Sequence, residues 1–92
     1  MPDPAIISTS GLSLNISALE GAILVQCQGT LTFDSSDFLK REVKSRIPSN
    51  GRVVLDLTKI TRMDSSGLGA IVRLYLSARG RSCDFDLINA ED

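Results

Sequence analysis

Val53-Val54-Leu55, with Leu57 two positions on, is the stretch that most restricts what this chain can fold into. It is β-branched, almost continuously apolar and short, so it reads as a strand covered on both faces, and a strand of that kind needs helices to cover it. Helical patterns flank it on either side. Leu39, Val43 and Ile47 recur at i, i+4 and i+8 with Phe38 beside them. Lys40, Arg41, Lys44 and Arg46 fill the other faces of that helix, and Pro48 stops it. Downstream, Leu68, Ile71, Val72, Tyr75 and Ala78 form a second apolar stripe on a helix that starts near Ser66, and Gly80 stands where a left-handed C-cap is wanted.

The remaining segments change period. Leu12, Leu14 and Ile16 alternate with polar residues, Glu20-Gly21 reads as a turn, and Ile23, Val25 and Cys27 share one face of residues 22–28. Together they make an antiparallel hairpin, ended by Gly29. Asp34-Ser35-Ser36-Asp37 offers candidate N-caps for the first helix. Cys83, Phe85 and Leu87, alternating with Asp84 and Asp86, complete a fourth strand. The expected fold is α/β, a mixed β-sheet packed with helices in the order β-β-α-β-α-β. Ninety-two residues, 42% hydrophobic and 23% charged, suit a single globular domain over 1–92, with 1–11 read as a flexible leader.

Charge and residue usage remove several classes of function. A formal net charge of -1 provides no field to attract nucleic acid or a membrane surface, so neither is an expected direct partner. Apolar runs such as Ala22-Ile23-Leu24-Val25 are too short to span a bilayer, and the Met1-Pro2-Asp3-Pro4 start lacks the features of a secretory signal, so a cytoplasmic location is expected. Cys27 and Cys83 lie in apolar segments and read as small buried hydrophobes, although sequence alone leaves a disulfide between them open. Histidine is absent. The usual general base and metal ligand are therefore missing, and no metal or cofactor is expected.

One connection has the wrong composition for a mere link. Ile60-Thr61-Arg62-Met63-Asp64-Ser65-Ser66-Gly67-Leu68-Gly69-Ala70 runs from the buried strand into the second helix with an acid, two serines and two glycines. Such a turn presents hydroxyl and free amide groups at the carboxyl end of the sheet, where open α/β sheets place ligands. A dinucleotide fingerprint fails because Val72 stands in place of its third glycine, and the Gly-Lys-Ser/Thr of a phosphate loop is missing. A nucleophile elbow fails because Met63 or Asp64 precedes the serine where glycine is required. A Ser–Lys arrangement with Lys59 stays open, as does the plain reading that Asp64-Ser65-Ser66 caps a helix.

Val54-Leu55-Asp56-Leu57 followed by Met63-Asp64-Ser65-Ser66-Gly67-Leu68-Gly69 resembles the hallmark of the STAS domain family, the anti-sigma-factor antagonists. Asp84-Phe85-Asp86-Leu87-Ile88-Asn89 lies where that family has its following strand, and the resemblance covers about residues 12–90. It implies a regulatory binding module without catalytic activity. In its unphosphorylated state such a module binds an anti-sigma factor that is also a serine kinase, and so releases the sigma factor. Phosphorylation of the serine after the motif's aspartate, here Ser65, breaks the complex. Asp64, Ser65, Ser66, Gly67 and Leu68 would form the partner surface, with Asp64 orienting the hydroxyl or touching the partner and Gly69 helping to shape the turn.

Two departures accompany the resemblance. Where the family often has Gly-Glu-Leu-Asp, this chain reads Gly29-Thr30-Leu31-Thr32, which places Thr30 and Thr32 on the partner surface as hydroxyls. The chain also stops short of the family's last elements, as if truncated at its C-terminal side. The helix at 66–79 and the strand at 83–88 would then lack cover, and self-association through that side is expected. The alternative role is a STAS subunit of a membrane transporter or of a stress-signalling scaffold.

Overall fold

The structure is a computed structural model that describes residues 5–9 and 11–88. Its elements are β1 (Ala5–Thr9), β2 (Leu12–Leu19), β3 (Ala22–Leu31), α1 (Phe33–Lys44), β4 (Arg52–Met63), α2 (Ser65–Arg79) and β5 (Asp84–Ile88). The strands form one mixed sheet in the order β1-β2-β3-β4-β5. β1, β2 and β3 pair antiparallel, while β3, β4 and β5 run parallel with the helices as their connections. No helix among the described residues is long and apolar enough to cross a membrane.

The α/β mixed sheet agrees with expectation, with one strand more than the sequence pattern indicates. Ala5–Thr9, read as part of a flexible leader, forms β1, so the order is β-β-β-α-β-α-β. Only five residues long, β1 has too short an alternation to stand out, and its stability comes from its ladder to β2. Of the rest of that leader, Gly11 lies in the turn before β2, and residues 1–4 and 10 lie outside the described residues.

Burial alternates through the central parts of β2, β3 and β4. Leu12, Leu14 and Ile16 of β2, Ile23, Val25 and Cys27 of β3, and Val53, Leu55 and Leu57 of β4 are all buried. They form one core with Leu39 and Val43 of α1 and Ala70, Ile71, Leu74 and Ala78 of α2. Val54 and Leu24, which are paired neighbours on the opposite face, are only half-buried. β4 is thus covered by helices on one face and not on both. The intervening positions of that other face are largely polar, with Asn15, Gln26 and Asp56 side by side.

The helices differ from their sequence patterns in which faces they bury and where they end. α2 buries Gly67, Ala70, Ile71, Leu74 and Ala78, while Leu68, Val72 and Tyr75 of the expected stripe are exposed. Small residues allow the helix to lie close to the sheet, and this close approach, more than side-chain size, selects the buried face. Gly80 is right-handed, with φ -63°, so it is not a left-handed cap. α1 is capped by Thr32, upstream of the expected serines, and ends at Lys44; Ile47 is buried in the turns that follow. β3 likewise continues past Gly29 to Leu31. Gly29 makes this continuation feasible: its φ is +111°, and a Cβ there would lie 2.0 Å from the Gly11 carbonyl oxygen. Cys27 and Cys83 are both buried free thiols, which settles the disulfide question.

Candidate functional site

Leu31 and Met63 are paired at the ends of the parallel strands β3 and β4. Each strand passes through a single capping residue into a helix, Thr32 before α1 and Asp64 before α2. Two helix N-termini therefore open side by side at the carboxyl edge of the sheet. Their unpaired amides and aligned dipoles make this edge locally electropositive.

Asp64 answers both helices. Its Oδ1 accepts from the Gly67 amide at 3.0 Å, and its Oδ2 accepts from the Phe33 amide at 3.0 Å. Its own amide donates to the Leu31 carbonyl at 3.3 Å. The Gly67 amide, with those of Phe33 and Ser66, holds the Asp64 carboxyl below its ordinary value of 3.8. Asp64 is thus engaged with backbone, and the bond to Ser65 considered from the sequence is not among its interactions.

Ser65 is the first residue of α2 and is exposed; among the described residues no hydrogen bond reaches its hydroxyl. Ser66 is half-buried and, with Phe33, Gly69 and Arg73, lines a depression of about 510 Å³ between the helices. Gly67 is buried, and a Cβ on it would meet the Leu31 carbonyl oxygen at 2.2 Å, so the helix start can lie against β3 only as glycine. Gly69 has nothing within 4 Å of a built Cβ, so space within the chain does not require glycine there. Leu68 is 56% exposed and lies beside Ser65 along a shallow apolar trough with Val72 and Leu76.

The structure brings Asp64, Ser65, Ser66, Gly67, Leu68 and Thr32 to one edge. Thr30 lies nearby, but its hydroxyl turns toward the Gly11 carbonyl oxygen at 3.4 Å. Lys59 lies among residues lining a depression on the open sheet face, with Gln28 and Asp56, and not at the Ser65 turn. The Ser–Lys arrangement is therefore not assembled.

Two contributors escape the sequence pattern. Ser35 is fully buried; it donates to the Thr30 carbonyl at 2.9 Å and accepts from the Thr32 amide at 3.1 Å, fixing the turn before α1. Its place in a run of capping residues was a signal, although it acts from inside the helix. Phe33 is 78% exposed beside the Asp64 cap, and a lone aromatic at a helix start gives little warning of such a role.

Comparison with known proteins fits this geometry. A family model for the STAS domain matches residues 13–92. An antisigma-factor antagonist STAS domain from Rhodobacter sphaeroides shares the fold at a TM-score of 0.75 and 15% identity, covering 88% of this chain and 89% of that one. The anti-sigma factor antagonist SpoIIAA in its unphosphorylated form matches at 0.73 and 13% identity, covering 86% and 74%. The murine Solute Carrier 26 family member A9 anion transporter matches at 0.68 and 18% identity, over 78% of this chain and 12% of that one. In Mglu, a further match, this chain spans 19% of the length. At these identities the likeness is one of fold.

Proposed function

The chain belongs to the STAS domain family, and from that premise we propose that it is an anti-sigma-factor antagonist, a cytoplasmic protein-binding module that regulates transcription indirectly. In the unphosphorylated state it binds an anti-sigma factor with serine-kinase activity and frees the sigma factor. Phosphorylation of Ser65 switches it off. The observation carrying this reading is the pairing of an exposed, unengaged Ser65 hydroxyl with an Asp64 cap whose two oxygens are already occupied.

The physics of the switch follows from that pairing. A phosphate at Ser65 adds about -1.5 to -2 charges at neutral pH. Within the domain, that charge sits at a helix N-terminus and is tolerated. Across an interface packed on Phe33, Ser65, Ser66 and Leu68, with Thr30 and Thr32 at its margin, the same group is a desolvated anion and a steric block. The exposed apolar side of α2 also supports self-association of the domain.

The test is binding to an anti-sigma kinase. Ser65→Ala should retain binding and Ser65→Asp should lose most of it; equal binding by both overturns the switch. Incubation with the kinase and ATP should place one phosphate on Ser65 by mass spectrometry, and phosphate on Ser66 alone would move the assignment. Co-purification with a membrane complex in place of a soluble kinase would favour the transporter-subunit role.

A further inference from the structure

The basic run of α1 is redistributed by folding. Arg46, in the turn after α1, reaches back to that helix, where its guanidinium donates to the Glu42 carbonyl oxygen at 2.8 Å and to Glu42 Oε1 at 2.9 Å. Arg73 of α2 comes alongside the cations that are left. Lys40, Arg41, Lys44 and Arg73 then line a single groove of about 500 Å³ between the two helices. One carboxylate shares the lining: Asp37, which is 3.0 Å from Lys40 and 85% exposed. Among the described residues, no ion pair engages Lys44 or Arg73.

Arg41 also lies 4.0 Å from Glu42, a carboxylate shared with Arg46 and outside the lining, so the groove keeps an excess of cations in a chain whose formal net charge is -1. Like charges along one groove repel each other, and an acidic ligand relieves that repulsion while gaining attraction. The lining is not only charged. Leu76 belongs to it and is 56% exposed, so a ligand with an apolar residue can bury area there. The negative charge on the rest of the chain opposes a long polyanion or an anionic surface, whereas a short acidic segment has to meet only the groove.

We propose that the groove between α1 and α2 is a second docking surface, taking an acidic amphipathic segment of a protein partner. Carboxylates of the segment meet Lys40, Arg41, Lys44 and Arg73, and an apolar residue packs on Leu76. The choice of a protein ligand rests on the function proposed above; Ser65 is not in the groove's lining, although Arg73 and Leu76 also line the trough beside it.

The test uses isotope-labelled protein and four probes: a helical peptide with Glu and Leu at four-residue spacing, the same peptide with Lys for Glu, an oligothymidylate, and phosphatidylserine vesicles. The Glu peptide should shift the amides of residues 37–44 and 73–77, and the Lys peptide should not. The double variant Lys44→Glu/Arg73→Glu, checked for folding by circular dichroism, should weaken Glu-peptide binding by at least about tenfold. Shifts elsewhere, no shifts, insensitivity to the charge reversals, or occupation of the groove by oligothymidylate or vesicles would each overturn the proposal. Failure of Ser65→Asp to release a kinase would refute the switch and leave the peptide result standing.

Discussion

Asp64 Oδ2 accepts the Phe33 amide at 3.0 Å, across thirty-one positions of sequence, while Oδ1 of the same carboxylate caps α2. One side chain thereby fixes two helix starts relative to each other, and the surface around Ser65 inherits its shape from that bond.

Asp64→Ala should loosen both helix starts together. Hydrogen exchange at the Phe33 and Gly67 amides should accelerate, with smaller changes in the body of either helix. Because the folded-state value of this carboxyl lies below 3.8, its contribution to stability is complete above the unfolded value and fades as pH falls through the folded one. Urea midpoints of wild type and Asp64→Ala should therefore differ at neutral pH and converge in strong acid. A difference that persists in strong acid would refute the electrostatic account.

The two glycines near the start of α2 should respond oppositely to alanine. Gly67→Ala forces a Cβ onto the Leu31 carbonyl oxygen, 2.2 Å away, and should cost on the order of 1–3 kcal/mol. Gly69→Ala meets nothing and should stabilise α2 by up to about 1 kcal/mol through helix propensity. Denaturant titration separates them, and a loss of stability in Gly69→Ala would contradict the open space described at that site.

Cys27 should be chemically silent in the folded protein. Burial, with a smaller contribution from Asp56, pushes its thiol up to about 12, so it stays protonated through the neutral range. A thiol reagent at mildly alkaline pH should modify Cys27 only at the rate of unfolding. Rapid labelling of Cys27 without denaturant would count against its place in the core.

Self-association should depend on the outer side of α2, where Leu68 is 56%, Val72 49% and Leu76 56% exposed. Sedimentation at high micromolar concentration should show reversible dimers, and Val72→Glu with Leu76→Glu should return the chain to monomer. A wild-type protein that stays monomeric at that concentration would end this proposal.

Much of the fold was legible because strand and helix periods differ. The alternation through Ile23, Val25 and Cys27 and the four-residue spacing of Leu39 and Val43 correspond to buried faces in the structure. Legibility failed where packing distance outweighed side-chain size. On α2 the eye follows Leu68, Val72 and Tyr75, whereas the sheet accepts Gly67, Ala70 and Leu74. The Asp64 cap could be read from local composition, since Asp before Ser-Ser-Gly is a helix start. Its second bond could not, because the Phe33 amide reaches it only once β3 and β4 lie side by side. Ser35 was legible only as one of four candidate capping residues, because its full burial depends on the packing of α1 against the end of β3.

The strands follow one another across the sheet in the same order as along the chain. No strand has to be threaded between two that are already paired, so every closure joins sequence neighbours or spans one helix, which keeps the entropy of loop closure low. The sheet can grow by addition at one edge as the chain emerges from the ribosome. The pairing of β3 with β4 brings Asp64 to Phe33, so the double cap does not depend on β5 being in place.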